Sequence, residues 1–80
     1  MTTLDLLPPG SHGQILSVDG SNPNLARLAE LGLIAGQKVS LIQKAPLGDP
    51  IKIRIMNYEL CIRRQDAVGI DISPDGEAVA

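Results

Sequence analysis

Aromatic residues are almost missing from this 80-residue chain: Tyr58 stands alone, with no Phe and no Trp. A core without rings must be filled by Ile, Leu and Val, and stacking of nucleic-acid bases on aromatic platforms has little to work with. Cysteine is nearly absent too. Cys61 alone cannot close an internal disulfide, which is compatible with a reducing compartment. The single histidine, His12, lies in a Pro/Gly-rich turn, and no pair of Cys or His exists to build a closed metal site. Basic excess is lacking, with a net charge of −2 and a pI near 5.1, which argues against general affinity for nucleic acid. No run approaches the roughly 18 apolar residues that span a bilayer, and no basic stretch followed by an apolar one opens the chain. The expectation is one small cytoplasmic domain that folds without a staple.

What is present is organised around Leu31-Gly32-Leu33-Ile34-Ala35-Gly36. The only convincing helix precedes these six residues, and strands follow them. Asn22 can accept from orphan amides at the helix start, and Pro23 at the first helical position loses no needed donor. Leu25, Leu28, Ala29 and Gly32 then fall on one stripe, with Leu31 beside them. Gly32 suits the left-handed position just past a helix end, with Leu33 folding back onto the last turn. Gly36 supplies a second tight turn. At about ten residues this helix needs a sheet to lie on.

The sheet reads as about five short strands. The lead-in Thr3–Leu7 is apolar and is stopped by Pro8-Pro9-Gly10. Residues 13–19 form the first strand, with Ile15 and Val18 inward if a bulge adjusts their spacing. Residues 37–44 follow, with Val39 and Leu41 inward. Ile51, Ile53 and Ile55 alternate with Lys52 and Arg54, and Tyr58, Leu60 and Ile62 with Glu59, Cys61 and Arg63. A two-residue turn at Met56-Asn57 pairs Ile55 with Tyr58, Ile53 with Leu60 and Ile51 with Ile62, and sets Arg54 opposite Glu59. Asn57 tolerates the positive φ such a turn requires. Arg64-Gln65-Asp66 reads as a tight turn, residues 67–72 as the last strand, and residues 74–80 as a frayed tail beyond a domain spanning 1–73. The fold class is mostly β, a small barrel with one short helix inserted after the first strand, closed so that no edge is exposed.

Chemistry is hard to place on this chain. A nucleophile needs a base within reach and a third group to orient it, and no periodicity brings Ser or Cys to His12. The aspartates adjoin Gly, Pro or strand ends, where Asp bonds its own backbone. Gly48-Asp49 lacks the glycine spacing and the Lys-Ser/Thr ending of a phosphate loop. The reading is a non-enzyme with no catalytic, cofactor-binding or metal residues.

Leu31-Gly32-Leu33 followed by Gly36 and Val39, then Ala45-Pro46-Leu47-Gly48-Asp49-Pro50-Ile51, Tyr58-Glu59-Leu60 and Ile62-Arg63-Arg64, resembles the FeoA family over about residues 4–72. The resemblance implies an SH3-like β-barrel and a cytoplasmic accessory role in ferrous iron uptake. The implied partner is a FeoB-type membrane transporter with a cytosolic GTP-binding domain. Asn57 departs from the family's hairpin, where Gly is expected.

Leu47, on a loop stiffened by two prolines, can dock at little entropic cost, and Leu47, Gly48 and Asp49 are the first candidates for a protein contact. Leu33 and Ile34 at the hinge are the second, framing a groove between helix and barrel. Lys44, Lys52, Arg54, Arg63 and Arg64 concentrate positive charge on the second half of the sheet. They offer a docking face for an acidic surface or, as the alternative function, a nucleic-acid-binding face. Small barrels that keep an exposed strand edge often pair through it, which would make a homo-oligomer.

Overall fold

The computed structural model describes residues 2–74, and residues 75–80, which include most of the expected tail, lie outside the described residues. Six strands form one antiparallel sheet. These are β1 (Thr2–Thr3), β2 (His12–Val18), β3 (Lys38–Lys44), β4 (Ile51–Ile55), β5 (Tyr58–Ile62) and β6 (Ile70–Pro74), in the spatial order β1-β6-β2-β3-β4-β5. Helix α1 (Pro23–Ala29) follows β2, and a single helical turn, α2 (Arg64–Ala67), precedes β6. Residues 4–6 form a 3-10 turn.

The β4–β5 hairpin has the register that alternation requires: Ile51↔Ile62, Ile53↔Leu60 and Ile55↔Tyr58, with Arg54 facing Glu59 on the wet side at 2.6 Å. Positive φ falls on Met56 (54°), not on Asn57. It is the first central residue of the turn that must reverse the chain here, as in a II′-type hairpin. A bulge between Ile15 and Ser17 lets Ile15 point inward while Val18 still packs against the core. A second bulge interrupts the β3–β4 ladder between Leu41 and Gln43.

One aliphatic cluster draws on every strand but β1, on α1 and α2, and on the 3-10 turn. Only a strongly coiled sheet can bring so many inner faces to one cluster, because a flat one buries a single layer. Closure is nonetheless incomplete: no ladder joins β1 to β5 among the described residues, so both remain edges, against the expectation of a sealed barrel. Leu4 and Leu7 are fully enclosed, so the lead-in is part of the core.

The last strand begins three residues later than alternation suggests. Arg63 O accepts from Asp66 N and Ala67 N, coiling residues 64–67 before β6 starts. β6 then continues through Pro74, where Gly13 pairs with it. Asp66, read from sequence as a turn residue, is buried and accepts from Asn22 Nδ2 (3.0 Å) and Asn24 Nδ2 (3.4 Å). Asn22 works in both directions. Its Oδ1 accepts from Asn24 N and Leu25 N to cap α1, while its amide donates to Asp66 and ties α1 to α2.

Asp66→Ala leaves the Asn22 amide without its carboxylate and is expected to cost about 1.5–3 kcal/mol. Asn22→Ser keeps a capping oxygen, loses the donor and is expected to cost less; denaturant midpoints read the order. At the β2–α1 turn, Ser21 donates its hydroxyl and its N–H to Asp19, holding that exposed carboxyl below its usual range. A lowered folded value means stabilisation that is complete above the unfolded value and fades as pH falls through the folded one. Ser21→Ala is expected to raise the Asp19 titration midpoint, read by NMR.

Candidate functional site

The hinge is built by a Schellman-type ending. Leu33 N donates to Leu28 O at 3.2 Å and Gly32 N to Ala29 O at 3.1 Å, with Gly32 at φ +109°. Space constrains Gly32 as well as backbone. A Cβ there would meet Met56 Sδ at 2.8 Å, with the Tyr58 hydroxyl close by at 3.8 Å. The β4–β5 turn therefore rests against the helix ending. From the other side β2 clamps the hinge: Gly36 N donates to Ile15 O (2.7 Å), and Ile15 N donates to Gln37 O (2.9 Å).

Leu33, offered as a contact residue, has 0% exposure and belongs to the core; its fold-back onto the helix removes it from the surface. Ile34 is half exposed. It lines a shallow apolar groove of about 270 Å³ with Val18, Ala26, Ala29 and Ala35. Leu31, Met56 and Tyr58 are also exposed around Gly32. Alternation places Tyr58 inward, yet it lies exposed at the mouth of the core because β5 is an edge and no described residue covers its first position.

The β3–β4 loop presents Leu47 at 92% exposure. Its base is closed by Ala45 N donating to Pro50 O (3.0 Å), and its tip by Gly48 N donating to Ala45 O (2.7 Å). Asp49, followed by a cis bond to Pro50, accepts from Arg64 N at 2.9 Å and so serves the first amide of α2. The Arg64 guanidinium runs beside Gly48. Thus the loop is held on three sides while Leu47 projects from it.

Loop and hinge do not form one surface. The loop leaves the sheet where Lys44 pairs with Ile51, whereas the hinge meets Met56, just beyond the Val39–Ile55 pair. The length of β4 separates them, about 15 Å. Sequence placed residues on two loops without their ends of the sheet, because the ladder direction alone decides that.

The basic residues are partly engaged. Arg54 is bound to Glu59, and Lys44 Nζ donates to Asp5 O at 2.8 Å. Cys61 is exposed on β5, and His12 lies on β2, so β3 and β4 stand between them. Among the described residues no helix is long and apolar enough to cross a membrane.

The FeoA domain family matches residues 2–74. The chain belongs to the FeoA family. An FeoA protein from Chlorobium tepidum superposes with a TM-score of 0.87 at 33% identity, covering 94% of this chain and 71% of that one. An FeoA from Stenotrophomonas maltophilia, described as an SH3 domain protein and solved with zinc, superposes at 0.77 with 27% identity and 91% of each chain covered. A fusion of Fe(2+) transport protein A with the Fe(2+) transporter FeoB, from Porphyromonas gingivalis, is 36% identical over 69 residues. Those residues are 86% of this chain and 8% of that protein, so this FeoA-family chain spans a small part of its relative's length.

Gly32→Ala is expected to destabilise by about 1–3 kcal/mol, since backbone strain and collision with Met56 act together. Thermal melts of Gly32→Ala with and without Met56→Ala separate the two causes: the shorter side chain returns the steric part and leaves the backbone part.

Proposed function

We propose that this FeoA-family chain is a non-enzymatic accessory module of ferrous iron uptake. It docks through the β3–β4 loop on the cytosolic part of a FeoB-type GTP-binding transporter and assembles or regulates it. The observation that carries the loop assignment is Leu47, almost fully exposed on a backbone fixed by the Ala45–Pro50 and Gly48–Ala45 bonds and the Asp49–Arg64 cap. An apolar side chain already held in place loses little entropy on docking. The P. gingivalis fusion, which joins an A-type and a B-type protein in one chain, supports the choice of partner. Ile34 and the groove beside α1 lie at the other end of β4 and form a second contact in this reading. The nucleic-acid alternative draws on the same sheet as the basic residues, but Arg54 and Lys44 already serve Glu59 and the Asp5 carbonyl.

The test is retention of the chain by the purified cytosolic domain of its transporter, with and without GTP. Leu47→Ser is expected to weaken retention about 10- to 100-fold, matching the loss of about 1.5–3 kcal/mol of apolar burial, with circular dichroism unchanged. Undiminished binding by Leu47→Ser overturns the loop assignment. Retention on RNA or DNA that falls steeply with salt, without transporter binding, favours the alternative.

A further inference from the structure

The two edges of the sheet are unequal. β1 is two residues long, whereas β5 offers five and, among the described residues, pairs only with β4. Because a two-residue turn joins Ile55 to Tyr58, residues Tyr58, Leu60 and Ile62 exchange main-chain hydrogen bonds with β4. The N–H and C=O groups of Glu59 and Cys61 therefore point away from the sheet. Among the described residues no main-chain bond reaches them, and both residues are exposed. Such an edge is a template for another strand.

The side chains specify which strand. Along its wet face the edge reads Glu59, Cys61, Arg63: acid, neutral, base. Arg63 is still extended, at φ −71° and ψ 144°. Laid antiparallel on itself about a two-fold axis at Cys61, the strand sets Glu59 against Arg63 of the second copy, at both ends of the seam. Leu60 then faces Ile62, and the residue that meets its own image carries no charge. An axis at Glu59 would oppose two carboxylates, and one at Leu60 would leave Arg63 unmatched. Glu59 uses Oε2 for Arg54, which leaves Oε1 to accept across the seam. Arg63 O is committed to α2, but its N–H is turned outward to donate to Glu59 O of the second copy.

We propose that β5 pairs antiparallel with β5 of a second copy of this chain, centred on Cys61 and secured by reciprocal Glu59–Arg63 ion pairs. A seam this short buries less than a standard interface, so the dimer exchanges and grows with concentration. Sedimentation velocity from about 10 μM to about 1 mM is expected to show the average mass rising from 8.5 kDa toward twice that value. Glu59→Arg and Arg63→Glu each hold the chain monomeric, and the two together restore the dimer. A short bifunctional thiol reagent joins copies through Cys61 in the wild type and the double variant, but in neither single variant. All of these side chains are exposed, and circular dichroism checks that each variant folds. A chain monomeric throughout, a dimer indifferent to both swaps, or a β5 edge that accepts only a foreign peptide overturns the proposal. Leu47→Ser leaves this dimer intact, so its fate is independent of transporter docking.

Discussion

A core made without aromatic rings has to be assembled from many side chains of similar size, and each must arrive from the correct face of its element. Here Ile15, Val39, Leu41, Ile51, Ile53, Ile55, Ile62, Ile70 and Ile72 come from five strands and meet Leu25 and Leu33 from the helix and hinge. No single large residue nucleates the packing. Register therefore matters more than composition: a one-residue slip of β4 would turn three buried isoleucines outward and bring Lys52 and Arg54 inward. The bulges in β2 and β3 follow from the same demand, since each corrects the facing of a strand whose spacing does not match the core.

The helix serves this core from one end. It is too short to persist alone, and its two termini are secured by contacts distant in sequence. Asn22 reaches Asp66 at the start, and Gly32 receives Met56 at the finish. The elements it touches, α2 and the β4–β5 turn, flank β5 on either side. The edge strand is thus bracketed in sequence by the two segments that dock the helix.

How much of this was legible depends on whether the signal was local. The β4–β5 register could be read because alternation and a two-residue turn agree, and the helix cap and hinge because Asn22-Pro23 and Gly32 act within a few residues. Asp66 looked like a turn former, since its partners lie more than 40 residues away. Leu4 and Leu7 carry no alternation that would show they are enclosed. Met56 rather than Asn57 takes the positive φ because turn geometry sets the position, whatever the side chain prefers. The candidate site suffered most. Leu47 was found by its setting between prolines, but that it lies a strand's length from Ile34 is a property of the ladder and of no residue.

The pairing of β1 with β6 has a topological outcome. Thr2 lies opposite Ile72, so the described chain begins and ends on adjoining strands, about 8 Å apart across one strand spacing and two residues. The chain enters β1 at Thr2 and leaves β6 at Pro74 at the same corner of the module. Order of connection is thereby uncoupled from orientation: a neighbour joined ahead of the domain or behind it meets the same faces from the same tether point. Evolution can move such a unit between free-standing and fused arrangements without redesigning what it presents.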